Sequence, residues 1–154
     1  MPGTIDTRLA ELGLTLPDAP APAANYVPYV RSGDLLFVSG QISQGPEGLI
    51  KGRLGDTMDL AEGAEAARRC GLSLLAQTRA ALGGDLGRVV RVVKLTGFVN
   101  STADFTDQPK VINGCSDLMV AVFGEAGRHA RAAVSAPALP LGVAVEIEAV
   151  FQVA

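Results

Sequence analysis

Three charged residues interrupt the apolar C-terminal part of this chain. Arg131 heads the run RAAVSA, and Glu146 and Glu148 lie inside VAVEIEAVFQV. A planar guanidinium can hold a carboxylate through two parallel hydrogen bonds. A glutamate nearby can hold or activate a water molecule. These residue types therefore suggest a site that binds a small carboxylate and delivers water to it.

Side-chain alternation predicts where the two glutamates point. In a strand over 143–153 the odd-numbered residues form one apolar face, and Glu146 and Glu148 lie on the other. That second face also carries Ala144 and Val150, which indicates that it is partly covered. The alternative is a half-solvated strand with ordinary surface glutamates. The residues alone leave both interpretations open.

Other catalytic or metal-binding groups find little support in the sequence. His129 is the single histidine and no G-x-S-x-G turn accompanies it, so we interpret it as a surface or capping residue. Cys70 and Cys115 lack metal-ligand spacing. We therefore predict no metal site and two reduced core cysteines. The glycine-rich segments 45–48 and 83–87 lack phosphate-loop residues and are predicted to be turns.

Composition predicts one apolar globular domain. The chain has 154 residues, of which 48% are hydrophobic and 19% charged, and this apolar content hints at contact with copies of itself. The net charge is −3 and no Lys/Arg cluster exceeds two neighbours, which disfavours nucleic-acid binding. No run reaches the roughly 18–20 apolar residues of a membrane span. The N-terminus resembles no signal peptide, so we expect a cytoplasmic protein that does not associate with membranes.

Periodicity predicts the elements that would position the charged residues. A short helix is expected over 4–13, followed by an extended Pro/Ala-rich connector over 16–25 that lies on the surface as a tether. Two longer helices with a 3.6-residue period are expected over 59–82 and 104–124. The predicted strands are rich in β-branched residues or flank turn sequences, and they span 26–33, 34–42, 49–54, 88–99, 131–136 and 143–153.

The order β-β-β-α-β-α-β-β predicts an α+β fold with one mixed sheet and two helices packed on one face. Asp59 and Glu62 have the spacing of a capping box at the start of the first long helix. Segment 139–142 is predicted to be a turn that links the last two strands as a pair. Arg131 would then lie on the strand beside the glutamates.

Four stretches of the sequence are similar, in order, to the Rid/YjgF family, formerly labelled endoribonuclease L-PSP. That family carries Pro-Tyr ahead of a strand ending in Ser-Gly-Gln, then a Val-Lys-x-Thr-x-Phe strand with a following Asp-Phe. Its C-terminal signature places an arginine and a glutamate fifteen residues apart, as they are here. The matching stretches are Pro28-Tyr29 with 35–42, then 92–105, Ala130-Arg131, and Leu139-Pro140 with 145–148.

The resemblance implies a chorismate-mutase-like fold and a homotrimer. The sheets would form an inner barrel with the helices outside and three clefts between subunits. It also implies hydrolysis of reactive enamine and imine intermediates, such as 2-iminopropanoate and 2-iminobutanoate, to 2-keto acids and ammonia. No metal or organic cofactor is implied. Because the similar stretches begin after residue 25, we assign 26–154 to this domain and 1–25 to an N-terminal extension.

The resemblance also assigns roles to individual residues. Arg131 matches the arginine that binds the substrate carboxylate, and Glu146 matches the glutamate that positions the attacking water. A protonated imine is already electrophilic, so orienting its carboxylate and delivering water is sufficient chemistry. Four further residues match positions that line the cleft and contact substrate: Tyr29, Ser39, Gly40 and Asn113.

Departures from the family pattern place this chain in a divergent subgroup. The first long helix begins LAEG in place of Ala-Gln-Thr, and the usual aromatic residues do not follow Asn113. Two other functions are considered beside imine hydrolysis. One is a non-catalytic binder of small carboxylates that uses Arg131 without turnover. The other is RNA cleavage, after the older family label, which the acidic pI of about 5.1 disfavours.

Overall fold

The computed structural model describes residues 4–154, which form one main sheet and three helices. The helices are α1 (Thr4–Glu11), α2 (Leu60–Ala81) and α3 (Gln108–Phe123). The strands are β1 (Tyr29–Ser32), β2 (Leu35–Ile42), β3 (Gln44–Gly45), β4 (Gly48–Leu49), β5 (Val89–Asn100), β6 (Ala130–Ala136) and β7 (Val145–Val153).

The main sheet has the strand order β1-β2-β7-β5-β6, and β3 pairs with β4 separately. β5 and β6 are parallel, while the other neighbours are antiparallel. The connection from β5 to β6 runs through α3, as a parallel pair requires a crossover. This arrangement confirms the predicted α+β fold with a mixed sheet.

Helix α2 begins and ends where local signals predict. The Glu62 N–H donates to the Asp59 side chain at 2.8 Å, and the Asp59 N–H donates to the Glu62 side chain at 3.1 Å. These reciprocal bonds satisfy two otherwise free donors. Gly83 follows the helix with φ +67°, a conformation that glycine adopts without strain. No helix within residues 4–154 combines the length and hydropathy needed to cross a membrane.

The core lies between the sheet and the two long helices. Leu74 of α2, Met119 of α3 and Phe151 of β7 are fully buried there. Cys70 and Cys115 are also buried and free, as predicted. Burial raises the pKa of the Cys115 thiol to about 12, so this thiol stays neutral and unreactive.

A close approach of the two long helices depends on Gly114. A Cβ at this position would lie 2.8 Å from the carbonyl carbon of Ala64 in α2. Any other residue would therefore push α3 away from α2. Gly114 thus sets how closely α3 approaches α2.

Two strand predictions were wrong. β6 pairs with β5 instead of β7, and β5 separates the two, so 139–142 does not link a pair of neighbouring strands. The crossover through α3 places β6 at the outer side of β5. The predicted edge strand over 49–54 is reduced to the pairing of Gly48–Leu49. Gly52 and Gly55 adopt φ +153° and +87°, which interrupts an extended strand.

The N-terminal segment packs onto the rest of the chain. Leu9 of α1 and Leu16 both belong to the hydrophobic core. The connector is extended and mostly exposed, as predicted, but it is also fastened, because Gln77 of α2 donates a hydrogen bond to the Pro20 carbonyl at 2.6 Å. The first three residues of the predicted extension lie outside the described residues. The rest of the extension shares the core of the domain that follows it.

Candidate functional site

Glu146 lies at the start of β7, opposite Ile42 of β2 and Phe98 of β5. Its neighbours Val145 and Ile147 are fully buried in the core. Because side chains alternate along a strand, Glu146 points away from the helices. The sheet face without helices therefore carries this carboxylate.

The environment of Glu146 favours its protonated form. Burial is the main cause of a raised pKa, and the negative charge of Glu148 raises the pKa further. No hydrogen bond or ion pair to the Glu146 carboxylate occurs among residues 4–154. A carboxylate with a raised pKa is a better base near neutral pH. In the same part of the chain, no group of three His, Cys, Asp or Glu side chains is placed to hold a metal ion.

A β-bulge in β2 brings Ser39 and Gly40 to this carboxylate. The register of β2 against β7 shifts between Val38 and Gln41, so two residues oppose one. Gly40 lies directly against the Glu146 side chain. The Ser39 hydroxyl donates to the Val27 carbonyl at 2.7 Å, which ties the bulge to the end of the connector.

A cavity of about 610 Å³ adjoins Gly40 and Glu146. Its walls are the connector over 20–24 with Tyr26, the end of β2, and the 140–141 turn. The buried side chain of Gln77 contributes from α2. Two of the six predicted site residues therefore line one cavity, together with a segment predicted to be a surface tether.

Arg131 is held in place by helix α3. It lies in register with the buried Leu95, and its side chain lies on the helix side of the sheet. Nη1 donates to Asn113 Oδ1 at 2.9 Å and to Ser116 Oγ at 3.0 Å, and Nη2 donates to the Pro109 carbonyl at 3.1 Å. The Nε hydrogen and one Nη2 hydrogen have no partner among residues 4–154. Two donors are what a bidentate carboxylate contact needs.

Ser116 connects Arg131 to His129, a contact that was not predicted from the sequence. Ser116 Oγ lies 2.9 Å from His129 Nε2, and His129 Nδ1 lies 2.6 Å from the Gly127 carbonyl. A carbonyl only accepts, so Nδ1 carries a proton, and in the neutral ring Nε2 then accepts from the Ser116 hydroxyl. The spacing of Asn113 and Ser116, three residues apart on one helix face, was the available signal.

The six predicted site residues fall into separate groups within one chain. β1 and β6 are opposite edges of the sheet, so roughly 19 Å of sheet separates them at the usual strand spacing. Arg131 and Glu146 also point to opposite faces. One chain therefore does not bring these two together. Arg131 lies with Asn113, Glu146 lies with Ser39 and Gly40, and Tyr29 packs against the core opposite Val38.

The sheet face that carries Glu146 is not covered by helices. Four apolar side chains on this face are between 37% and 53% exposed. An exposed apolar patch of this kind usually marks a surface that contacts another protein. The four residues are Val30, Leu35, Phe37 and Val134.

Comparisons with known proteins agree in the architecture they indicate. A sequence model of the family described as "YjgF/chorismate mutase-like, putative endoribonuclease" matches residues 6–151. Protein TCP17 of Trypanosoma cruzi is 51% identical over 152 residues, covering 97% of this chain and 94% of that protein. The crystal structure of Atu1372, a protein with unknown function from Agrobacterium tumefaciens, matches with a TM-score of 0.90 and 47% identity, over 98% of this chain and 94% of that one. RidA from an Antarctic Psychrobacter matches with a TM-score of 0.61 and 29% identity, over 88% and 94%.

Proposed function

The chain belongs to the YjgF/chorismate mutase-like family, and on this premise we propose that it hydrolyses small 2-imino acids to 2-keto acids and ammonia. Such a reaction needs one group that binds a carboxylate and one that delivers water. The hydrogen bonding of the Arg131 guanidinium is the observation on which the proposal depends. Three acceptors on α3 hold its guanidinium and two N–H donors remain for a ligand.

In the proposed reaction Arg131 binds the substrate carboxylate through these two donors. The carbon of the protonated imine is then presented to a water molecule held by Glu146. Glu146 takes a proton from the water as the new C–O bond forms, which gives a carbinolamine. Glu146 returns the proton to the nitrogen, the C–N bond breaks and ammonia leaves. The hydroxyl proton passes to solvent as the carbonyl of the 2-keto acid forms.

A site that contains both Arg131 and Glu146 must combine residues from two copies of the chain. Arg131 and Glu146 lie on opposite faces of the sheet, so within one chain they cannot both contact the same substrate molecule. The uncovered apolar face supports self-association. The assembly we propose is the homotrimer, with each cleft formed by Glu146 of one copy and Arg131 of the next.

Two of the predicted cleft residues act through the catalytic pair. Asn113 accepts a hydrogen bond from Arg131 and so positions the guanidinium. Gly40 leaves the space that the Glu146 side chain occupies. The assignment of Tyr29 and Ser39 to the cleft stays a prediction.

The test couples an amino-acid oxidase or a threonine dehydratase to the purified protein. Semicarbazide in the assay traps the imine that remains. We expect the protein to lower the yield of trapped imine and to speed the release of keto acid, and the Arg131→Ala variant to do neither. Unchanged imine decay together with intact keto-acid binding would support the carboxylate-binder function instead.

A further inference from the structure

We propose that residues 20–26, the second half of the connector together with Tyr26, form a fixed wall of the cavity beside Glu146. This wall makes the site prefer 2-imino acids with a bulky apolar side chain over 2-iminopropanoate. The preferred substrate carries a branched aliphatic or an aromatic side chain. This inference rests on the proposed function, because it names the substrate class of that site. It assigns a role in selectivity to a segment that contains none of the four candidate cleft residues.

The connector occupies a place that a strand leaves free. β1 pairs with residues 35–38 of β2 and stops there, so residues 39–42 have no strand on that side. Residues 27–28, which lead from the connector into β1, pass the start of this open edge. The Ser39 N–H donates to the Pro28 carbonyl at 2.9 Å, and the Ser39 hydroxyl donates to the Val27 carbonyl. The cavity lies between this segment and the ends of β2 and β7.

Hydrogen bonds hold the wall, one of them donated by a buried side chain of α2. Gln77 is 1% exposed, and its side-chain amide donates to the Pro20 carbonyl at 2.6 Å and to Gln41 Oε1 at 3.4 Å. The Ala23 N–H donates to the Tyr26 hydroxyl at 3.3 Å, which closes a small loop in the wall itself. Proline restricts the backbone further, since its ring fixes φ. A wall ordered before binding adds little entropic cost when a ligand contacts it.

The wall presents apolar groups to Glu146. The wall contributes proline rings, alanine methyl groups and the Tyr26 ring, and Ile42 and Leu141 are the further apolar residues of the lining. Glu146 is the one carboxylate among the residues that line the cavity. Leu141 adopts φ +60°, which residues other than glycine seldom do. Backbone strain of this kind is concentrated at ligand sites.

The size of the cavity favours a large substituent. Ligand cavities are typically about 300–1,000 Å³, and the 610 Å³ found here lies within that range. The methyl group of 2-iminopropanoate would leave most of this apolar space unused. Each additional methylene that fills an apolar pocket is worth about tenfold or more in discrimination. The imine formed from leucine or phenylalanine should therefore have the higher kcat/KM.

The experiment compares imines made from alanine, leucine and phenylalanine by an amino-acid oxidase, using the full-length assembly. Ala21→Phe fills the cavity, and Ala19→Phe adds the same ring to an exposed connector residue outside it. We expect the wild type and Ala19→Phe to prefer the bulky imines by at least about tenfold. Ala21→Phe should lose that preference, because its ring occupies the space that a bulky substituent would fill. Tyr26→Ala, which removes one apolar ring from the wall, is the second variant and should weaken the preference in the same direction.

The outcomes separate this inference from the proposed function. Equal kcat/KM for all three imines would overturn the proposed role of the wall in selectivity and leave the proposed imine hydrolysis unaffected. A preference that neither Ala21→Phe nor Tyr26→Ala changes would do the same. If no imine is hydrolysed, the proposed function fails, and calorimetry with pyruvate and the keto acid of leucine decides the inference. Tighter binding of the leucine keto acid that Ala21→Phe abolishes would support the wall, and equal or absent binding of both would overturn it.

Discussion

Gly40 lies against the side chain of Glu146 with no space for a Cβ atom. A Cβ at position 40 would lie 3.0 Å from Cδ and 3.2 Å from Cγ of Glu146. The β-bulge of Ser39 and Gly40 therefore brings bare backbone to the carboxylate, and any side chain there would displace it. The position of the carboxylate depends on a residue that itself has no reactive group.

Gly40→Ala should lower kcat/KM by about 10²-fold, because a displacement of a catalytic group by roughly 1 Å has that effect. Gly45→Ala is the matched control, since a Cβ there has no atom nearer than 3.8 Å and should leave the rate unchanged. Circular dichroism should show that both variants fold. An equal loss of kcat/KM in the two variants would contradict a specific role for Gly40.

Glu146→Gln should keep the shape of the site and bind 2-keto acids nearly as well as the wild type. It should lose about 10²-fold in kcat, because the amide cannot accept the proton of the attacking water. Glu148 is exposed on the same strand face, so Glu148→Gln should stay within a few-fold of the wild type. Steady-state assays of the three proteins make the comparison. Near-wild-type rates in both variants would remove Glu146 from the mechanism.

The acid limb of the pH profile should report Glu146. A general base works deprotonated, so kcat/KM should fall as the pH drops through its pKa. Burial raises this pKa most, and the charge of Glu148 raises it further. Glu148→Gln removes the second cause alone, which lowers the pKa and moves the acid limb to lower pH. A limb that stays in place or moves to higher pH would show that another group controls it.

Arg131→Ala should abolish keto-acid binding and imine hydrolysis while the assembly stays intact. Removing one partner of a buried charge-assisted contact costs roughly 2–5 kcal/mol. Arg131→Lys should recover little, since an ammonium group has no fork of parallel donors. Calorimetry with pyruvate measures binding, and light scattering measures the mass of the assembly. Unchanged binding in the alanine variant would refute the assignment.

Mixed assemblies should test whether Arg131 and Glu146 come from different copies. Arg131→Ala and Glu146→Gln chains, each strongly impaired alone, are co-expressed with different tags and the mixed trimers isolated. In a mixed ring of three copies, one of the three clefts, or about one third, would combine both intact groups and regain activity. No recovery in verified mixed trimers would place the whole site in one chain. A stable monomer at micromolar concentration would contradict the trimer itself.

The elements of the fold could be predicted because their signals are local. The capping pair Asp59 and Glu62 and the glycine after α2 define that helix from neighbouring residues alone. Pro109 stands in the first turn of α3, and the turn between β1 and β2 contains Gly33 with φ +60°. Each of these features depends on backbone geometry within a few residues, so the sequence states it directly.

Strand pairing could not be predicted in the same way, because it depends on which surfaces meet across long stretches of chain. The sequence suggested that β6 pairs with β7, whereas the crossover through α3 sets β6 beside β5. The same uncertainty applied to the connector. Its composition predicts an extended surface segment, but the bond from Gln77 to Pro20 spans 57 positions and has no local signal.

The sequence by itself determined which groups this protein has for chemistry. One arginine and one glutamate at fixed spacing, a glycine between a serine and a glutamine, and an asparagine on the second long helix are properties of the chain. The tertiary structure decided which of these residues lie together and which lie apart. It placed Arg131 on the helix side of an edge strand and Glu146 on the opposite face, two strands away. The physical reason is that side-chain alternation fixes the face of each residue, while the packing of α2 and α3 on one side decides which face is buried and which stays free.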